Sequence, residues 1–376
     1  MLTEDQKLIR DTARAFARDR LAPGAAARDA SGTIEPEILR EMGELGFLGM
    51  TVNPDFDGAG ADYVSYALAL MEVAAGDGAI STVMSVHNAP FNAIIERFGS
   101  EQHKDEVLRP AARGEFIGAF ALTETQAGSD ASAIRSTARR VQGGYVLNGT
   151  KEFITSGKIG RFVITFARME GAEGKSGITA FLVPTDSAGF EVARVEAKMG
   201  QRASDTCALR YTDVEISDAM RIGDEGQGYK IALASLETGR IGIASQSVGM
   251  AQAALDAAVG YAQERQTFGS AIINHQAVGF RLADLATQLE AARQLTLHAA
   301  RLKDAGIPCL TEAAMAKLYA SEAAERIVSG ALQTFGGMGY MVETGLERIA
   351  RDVRVCQIYE GTSDIQKLII ARALNT

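Results

Sequence analysis

The sequence predicts an α+β protein built as a helical block, a β block and a second helical block, and three observations carry that expectation. Apolar residues recur at helical spacing to about residue 116. From about 117 to 225 the period shortens to that of strands separated by turns, and from 226 to 376 helical spacing returns. In the first block the recurrences are Leu8, Ile9, Ala13, Phe16 and Ala17, then Ile38, Leu39, Met42 and Leu45, then Leu68, Met71 and Ala75. Thr3 and Gln6 have the spacing of a capping box, so a helix is expected to start at once. NPDFDGAGAD (53–62) is a loop by its Gly, Asp and Pro content.

The second block reads as a compact antiparallel β unit. IGAFAL (117–122) has strand length, and RFVITFA (161–167), ITAFLV (178–183) and FEVARV (190–195) are rich in β-formers. GGYVLNGTKEFIT (143–155) carries Gly-Gly and Asn-Gly, both hairpin signals. Cys207, Leu209 and Tyr211 alternate with Ala208 and Arg210, as in a half-buried strand. The third block begins with a long Ala-rich pattern interrupted only by Gly, followed by helices over about 275–303 and 311–335 with Pro308 at the boundary, then shorter helices.

Bulk properties narrow the function classes. With 376 residues, 47% hydrophobic and 23% charged, the chain has an ordinary globular composition, and no run reaches the ~18 apolar residues of a membrane span. The N-terminus lacks a secretory or transit pattern, so a complete cytoplasmic chain is expected. Cys207, Cys309 and Cys356 are scattered and form no C-x-x-C pair, which fits a reducing compartment. His87, His103, His275 and His298 have no metal-ligand spacing, so no metal is expected. A net charge of −9 argues against nucleic acid as a partner.

Several familiar site signatures are missing. No G-x-G-x-x-G follows a strand and no G-x-S-x-G elbow appears. Gly174-Lys175-Ser176 imitates the end of a P-loop, but Met169 stands where its first Gly belongs. Three other segments draw notice. ALTETQAGSDAS (121–132) is a polar loop after a strand, able to bind an anion or a ring edge, though alone it reads as a β-turn loop. QTFGGMGY (333–340) allows close backbone approach, though in isolation it is a helix C-cap and turn. In QIYEGTSDIQ (357–366), Glu360 stands before Gly361, with Ile358 and Tyr359 beside it and Thr362 able to start a helix. Out of context such a Glu is a solvated surface residue; in an apolar pocket, burial would raise its pKa and strengthen it as a base.

Together with KMGQRASDT (198–206), ERQTFG (264–269), HQAVGFRLADLA (275–286) and YVLNGTKEFIT (145–155), these segments resemble the acyl-CoA dehydrogenase family, in order and over nearly the whole chain. The likeness is greatest to short-chain and short/branched-chain members. It implies an N-terminal helical domain, a middle β domain read as antiparallel, and a C-terminal four-helix domain, with FAD extended between the last two and reaching a neighbouring subunit. By this resemblance Phe120, Thr123, Ser129, Phe153 and Thr155 surround the flavin and its near phosphate. Arg265 and Thr267, with Gln276, Gln333 and Gly337 of the partner subunit, hold the pyrophosphate and adenosine, where Arg suits bidentate phosphate contacts. Thr362 and Asp364 complete the cofactor site. Ser129, Glu237, Arg240 and Gly361 fall to the substrate; Glu237 reads equally well as a surface helix residue.

The resemblance also implies the chemistry. Glu360 removes the α-proton of an acyl-CoA thioester, whose carbonyl is polarised by the Glu360 N–H and a ribityl hydroxyl. Hydride passes from carbon 3 to the flavin, trans-2-enoyl-CoA is released, and electron-transfer flavoprotein takes the electrons. Some relatives carry the base on the long helix just before an Arg; here that position is Gly239, before Arg240. Two departures stand out: Thr125-Gln126 replaces a usual Pro-Gly, and Phe153 replaces a usual Trp, losing an N–H donor. A homotetramer is expected. The rivals are an oxidase on the same scaffold, separable by how fast air reoxidises the reduced flavin, and a flavin-free scaffold protein, separable by a colourless preparation that stays so when FAD is added.

Overall fold

The computed structural model describes residues 2–375. Helix α1 (Glu4–Phe16) begins at the expected capping box: Thr3 Oγ1 accepts from the Gln6 N–H at 3.2 Å, and Gln6 Oε1 accepts from the Thr3 N–H at 3.0 Å. The N-terminal core is centred on α2 (Tyr63–Gly76) and α3 (Gly78–Val86), both buried along most of their length. Asp77 sits between them. Its carboxylate caps α3 through the Ala79 and Ile80 N–H groups and pairs with buried Arg28 at 2.8 Å.

The middle of the chain forms one eight-stranded sheet. Its strands are β1 (Ile117–Ala121), β2 (Thr137–Val141), β3 (Gly144–Thr155), β4 (Gly160–Met169), β5 (Ile178–Pro184), β6 (Phe190–Val195), β7 (Thr206–Ser217) and β8 (Arg221–Ile222). Their order is β6-β7-β3-β2-β4-β5-β8, with β1 also on β4. The expectation of a purely antiparallel unit is corrected here, because β1 and β2 each pair with β4 in parallel. A parallel pairing needs a long return path, and the β2–β3 hairpin lying between β1 and β4 supplies it. A second correction concerns Asn148-Gly149. Only Gly143 (φ 81°) makes a hairpin turn; Gly149 lies within β3 at a register shift against β7. It has φ 145°, and a Cβ there would come within 2.3 Å of Ser136 Oγ, so the glycine marks a bulge crowded by β2's approach.

Three long helices follow: α4 (Leu236–Glu264), α5 (Gln276–Asp304) and α6 (Leu310–Phe335); the chain ends in α7 (Ser363–Ala373). A short helix, Gly228–Ala234, precedes α4, and the break between them falls at Ser235 rather than at a glycine. The glycines of α4 instead mark close approaches. A Cβ on Gly242 would lie 2.5 Å from Ser85 Oγ, and one on Gly249 would lie 2.0 Å from the Met71 carbonyl oxygen. They let α4 lie against α2 and α3, so the first and last helical blocks share one apolar core. Among the described residues no helix is long and apolar enough to cross a membrane.

Candidate active site

The turn between the helix Leu346–Val353 and α7 carries two consecutive left-handed residues, Glu360 (φ 52°) and Gly361 (φ 86°). For Glu this conformation costs about 1–3 kcal/mol and persists only where the surroundings impose it. They do so from behind: Gln366 Nε2 donates to the Glu360 and Gly361 carbonyl oxygens at 3.2 and 2.8 Å, and Lys317 Nζ donates to the Gly361 oxygen at 2.7 Å. Beyond the turn, Thr362 Oγ1 accepts from the Ile365 N–H and starts α7. Among the described residues no acceptor meets the Glu360 N–H.

The Glu360 side chain crosses to α4. A Cβ on Gly239 would lie 2.7 Å from Glu360 Oε2, so the missing side chain is the space that the carboxylate occupies. The next residue, Arg240, is only 2% exposed, and its Nε and Nη1 have no hydrogen-bond partner. An unpaired buried guanidinium is costly and points to a polar ligand completing the pocket. Burial pushes the Glu360 carboxyl above the usual carboxylate range, opposed by the positive charges of Arg240 and Lys317. Glu237, one turn away, is half-buried and pairs with Lys303 at 3.2 Å.

A second surface lies where β1 and β3 end. Glu124 and Lys151 form a buried pair at 2.8 Å, and Glu124 also accepts from the Arg135 and Ser136 N–H groups. Burial raises the Glu124 carboxyl, but Lys151 and these donors outweigh it and bring it down to about 2. The Glu152 N–H donates to the Thr123 oxygen at 2.9 Å, tying the 121–132 loop to the segment holding Phe153 and Thr155. Phe120 packs on Phe166, while Phe153, at φ 59°, leaves its ring 65% exposed. Ser129 is exposed. At the departure from Pro-Gly, the Gln126 amide donates to Glu124 and to the Ala133 oxygen, so the loop stays tethered.

A third surface is remote. Arg265 lies some 25 residues along the chain from Arg240, about 37 Å at helical rise. Its guanidinium is exposed and has no partner among the described residues. Thr267 bonds His275 at 3.1 Å, Gln276 is exposed, and Phe268, at the tip of the same hairpin, is 99% exposed. Gln333, with Arg281, Arg326 and Gln357, lines a cavity of about 690 Å³. Nothing lies within 4 Å of a Cβ built on Gly337. Arg265 and Thr267 thus cannot meet Glu360 within one chain. Thr362 and the exposed Asp364 do lie beside the Glu360 turn. His87 is no pocket residue: it is fully buried, bonded to the Ala111 oxygen and the Gly118 N–H, and burial lowers it to about 4. The sequence signals gave no notice of Lys317, Gln366, Lys151 or Glu124.

Exposed aromatic faces, a glycine cradle open to approach and an unpaired exposed arginine fit an extended flavin with a diphosphate. A helix–sheet–helix flavoenzyme with a half-buried carboxylate beside an unpartnered arginine is the class that this fold and site fit. Comparison with known proteins places it further. The acyl-CoA dehydrogenase N-terminal, middle and C-terminal domain models match residues 3–115, 119–214 and 226–375. The mitochondrial short-chain specific acyl-CoA dehydrogenase of Rattus norvegicus is 45% identical over 98% of this chain and 90% of its own length. The butyryl-CoA dehydrogenase structure from Megasphaera elsdenii superposes with TM-score 0.98 at 38% identity, covering 100% of this chain and 99% of that one. A structure described as the electron transferring flavoprotein of Acidaminococcus fermentans matches at TM-score 0.98 and 42% identity, covering 100% and 98%. The chain belongs to the acyl-CoA dehydrogenase family; it is an oxidoreductase and its cofactor is FAD.

Proposed function

We propose that this chain converts short straight or short-branched acyl-CoA thioesters, with acyl chains of about four to six carbons, to trans-2-enoyl-CoA, using Glu360 as the base. The observation that carries the reading is the Glu360 carboxylate seated on Gly239 beside unpartnered Arg240. The half-buried carboxylate takes the α-proton, and the free Glu360 N–H polarises the thioester carbonyl. The charge of Arg240 favours the ionised carboxylate, against the burial that raises its pKa. FAD, when bound, would supply the hydride acceptor. Phe120, Thr123, Ser129, Phe153, Thr155, Thr362 and Asp364 hold it in one chain, and Arg265 and Thr267, with Gln276, Gln333 and Gly337 of the partner subunit, complete the site. Ser129, Glu237, Arg240 and Gly361 serve the substrate.

The roughly 37 Å between Arg240 and Arg265 supports a cofactor shared between chains, and with it a homotetramer. The short-chain relative and the butyryl-CoA dehydrogenase structure support the substrate class. The likeness to the structure described for the electron transferring flavoprotein supports that protein as electron acceptor. The test is anaerobic bleaching of the flavin by butyryl-, isobutyryl-, 2-methylbutyryl-, hexanoyl-, octanoyl- and palmitoyl-CoA. A maximum specificity constant at four to six carbons (about 1–3 kcal/mol per misfit methylene) is expected. A maximum at octanoyl-CoA or longer overturns the substrate class, and rapid reoxidation by air without the acceptor protein marks an oxidase.

A further inference from the structure

Lys317 lies on α6, 43 positions before Glu360, and is 0% exposed. An ammonium has three donors and no acceptor, so a buried lysine normally sits on a carboxylate. Here, among the described residues, no carboxylate lies within ion-pair distance, and the one acceptor is the Gly361 carbonyl oxygen at 2.7 Å. A lysine placed only for packing would be better replaced by an apolar residue. Its target is also specific. The Gly361 oxygen belongs to the second of two left-handed residues, and it is bonded as well by the buried amide of Gln366.

We propose that Lys317 is a positioning residue for the base: it holds the Glu360–Gly361 turn through the Gly361 carbonyl, and its positive charge favours the Glu360 carboxylate. This rests on the reading of Glu360 as the base. With both carbonyls of the turn bonded, the Glu360 N–H is left without an acceptor among the described residues, and the side chain reaches Gly239. The ionisable groups facing Glu360 are Arg240 of α4 and Lys317 of α6, with the Tyr66 hydroxyl of α2 nearby. Lys317 itself faces Cys356, Glu360, Arg240 and Glu322; burial pushes it down to about 8, against the attraction of Cys356 and Glu360, so it is charged at neutral pH. Gln366 shares the geometric task without sharing the charge.

The two parts separate experimentally in the FAD-loaded enzyme. Flavin reduction by butyryl-CoA is followed by stopped flow from pH 5.5 to 9 in Lys317→Gln, Lys317→Met and Gln366→Leu. Lys317→Gln keeps a donor but loses the charge, so the acid limb of the rate should move up by about half a pH unit or more. Lys317→Met loses both, so the maximal rate should also fall about tenfold while the KM for butyryl-CoA stays within about twofold. Gln366→Leu should lower the rate and leave the limb in place. Added to Glu360→Gln, Lys317→Gln should cost little more, because the carboxylate that its charge acts on is gone. An acid limb unmoved in both lysine variants overturns the proposal. So does failure of both to hold FAD, since Lys317 then serves stability alone. If Glu360→Gln itself reduces flavin normally, the base assignment fails first, whatever the lysine variants do.

Discussion

The two ends of α4 carry two arginines that look alike in the sequence and are treated in opposite ways by the fold. Arg240, near the start of α4, is buried beside the Glu360 turn, with two guanidinium nitrogens unpaired among the described residues. Arg265, just past the last turn, stands in solvent without a partner, next to a fully exposed Phe268. Burial without a partner is expensive, so the Arg240 end is a pocket built within one chain and waiting for a polar ligand. Exposure of a large aromatic ring beside an unpaired cation costs little in one chain, but it leaves a surface that is complete only when something else covers it. One end thus fits the proposed chemistry and the other the proposed assembly, and the helix between them holds the two about 37 Å apart.

The largest effect should come from the buried end. Glu360→Gln keeps size and hydrogen bonding but cannot take a proton, so flavin reduction should fall by roughly three orders of magnitude or more with FAD and acyl-CoA still bound. Retention of a tenth of the wild-type rate would move the base elsewhere. The wild-type pH dependence has a definite sign. The protonated carboxyl is inactive and burial raises its pKa, so the rate should rise with pH through a limb above the ordinary carboxylate value.

Gly239→Ala comes next and separates chemistry from stability. A methyl there would lie 2.7 Å from Glu360 Oε2 and must displace the carboxylate, and a misplacement of about 1 Å costs about a hundredfold. Alanine is a better helix former by about 1 kcal/mol, so the melting temperature should hold or rise while the rate falls. A rate within threefold of wild type would show that the carboxylate is not held by this seat. At the exposed end the signature is reversed. Arg265→Ala should weaken FAD retention about tenfold or more, the worth of a charged hydrogen bond. Subunits that keep their flavin fully as monomers in light scattering would contradict a shared site.

How much of this was legible follows from how far each signal reaches along the chain. Helix and strand periods are local, so α1 with its Thr3–Gln6 box and most strands could be placed from the sequence. Asn148-Gly149 was misread because the residue that crowds its bulge, Ser136, lies just before another strand, β2. The parallel pairings of β1 and β2 with β4 escaped for the same reason, being set by a connection and not by either strand. Glu360 stood out through a motif. Its seat, Gly239, stood out only through the resemblance, as the place where some relatives carry the base; by itself a glycine in an Ala-rich helix says nothing of a carboxylate arriving from 121 positions away. Lys317 and Gln366 look like ordinary helix residues until their partner carbonyls are known.

The smallest kinetic effect, and a separate test of exposure, belongs to Phe153. The residue is 65% exposed, in a left-handed conformation near the end of β3. If that face is open because the flavin covers it, restoring the family's indole should fit without repacking any core. Substitutions outside a core usually change free energies by about 0.5 kcal/mol or less, so Phe153→Trp should alter flavin reduction by less than about threefold. The chain has no other Trp, so the introduced indole is the sole tryptophan fluorophore. Its emission should be strongly quenched with FAD bound and recover when the flavin is stripped. An indole equally bright in both states would place the flavin elsewhere, and Phe153 would then be one more exposed ring of the assembly surface, on the same footing as Phe268.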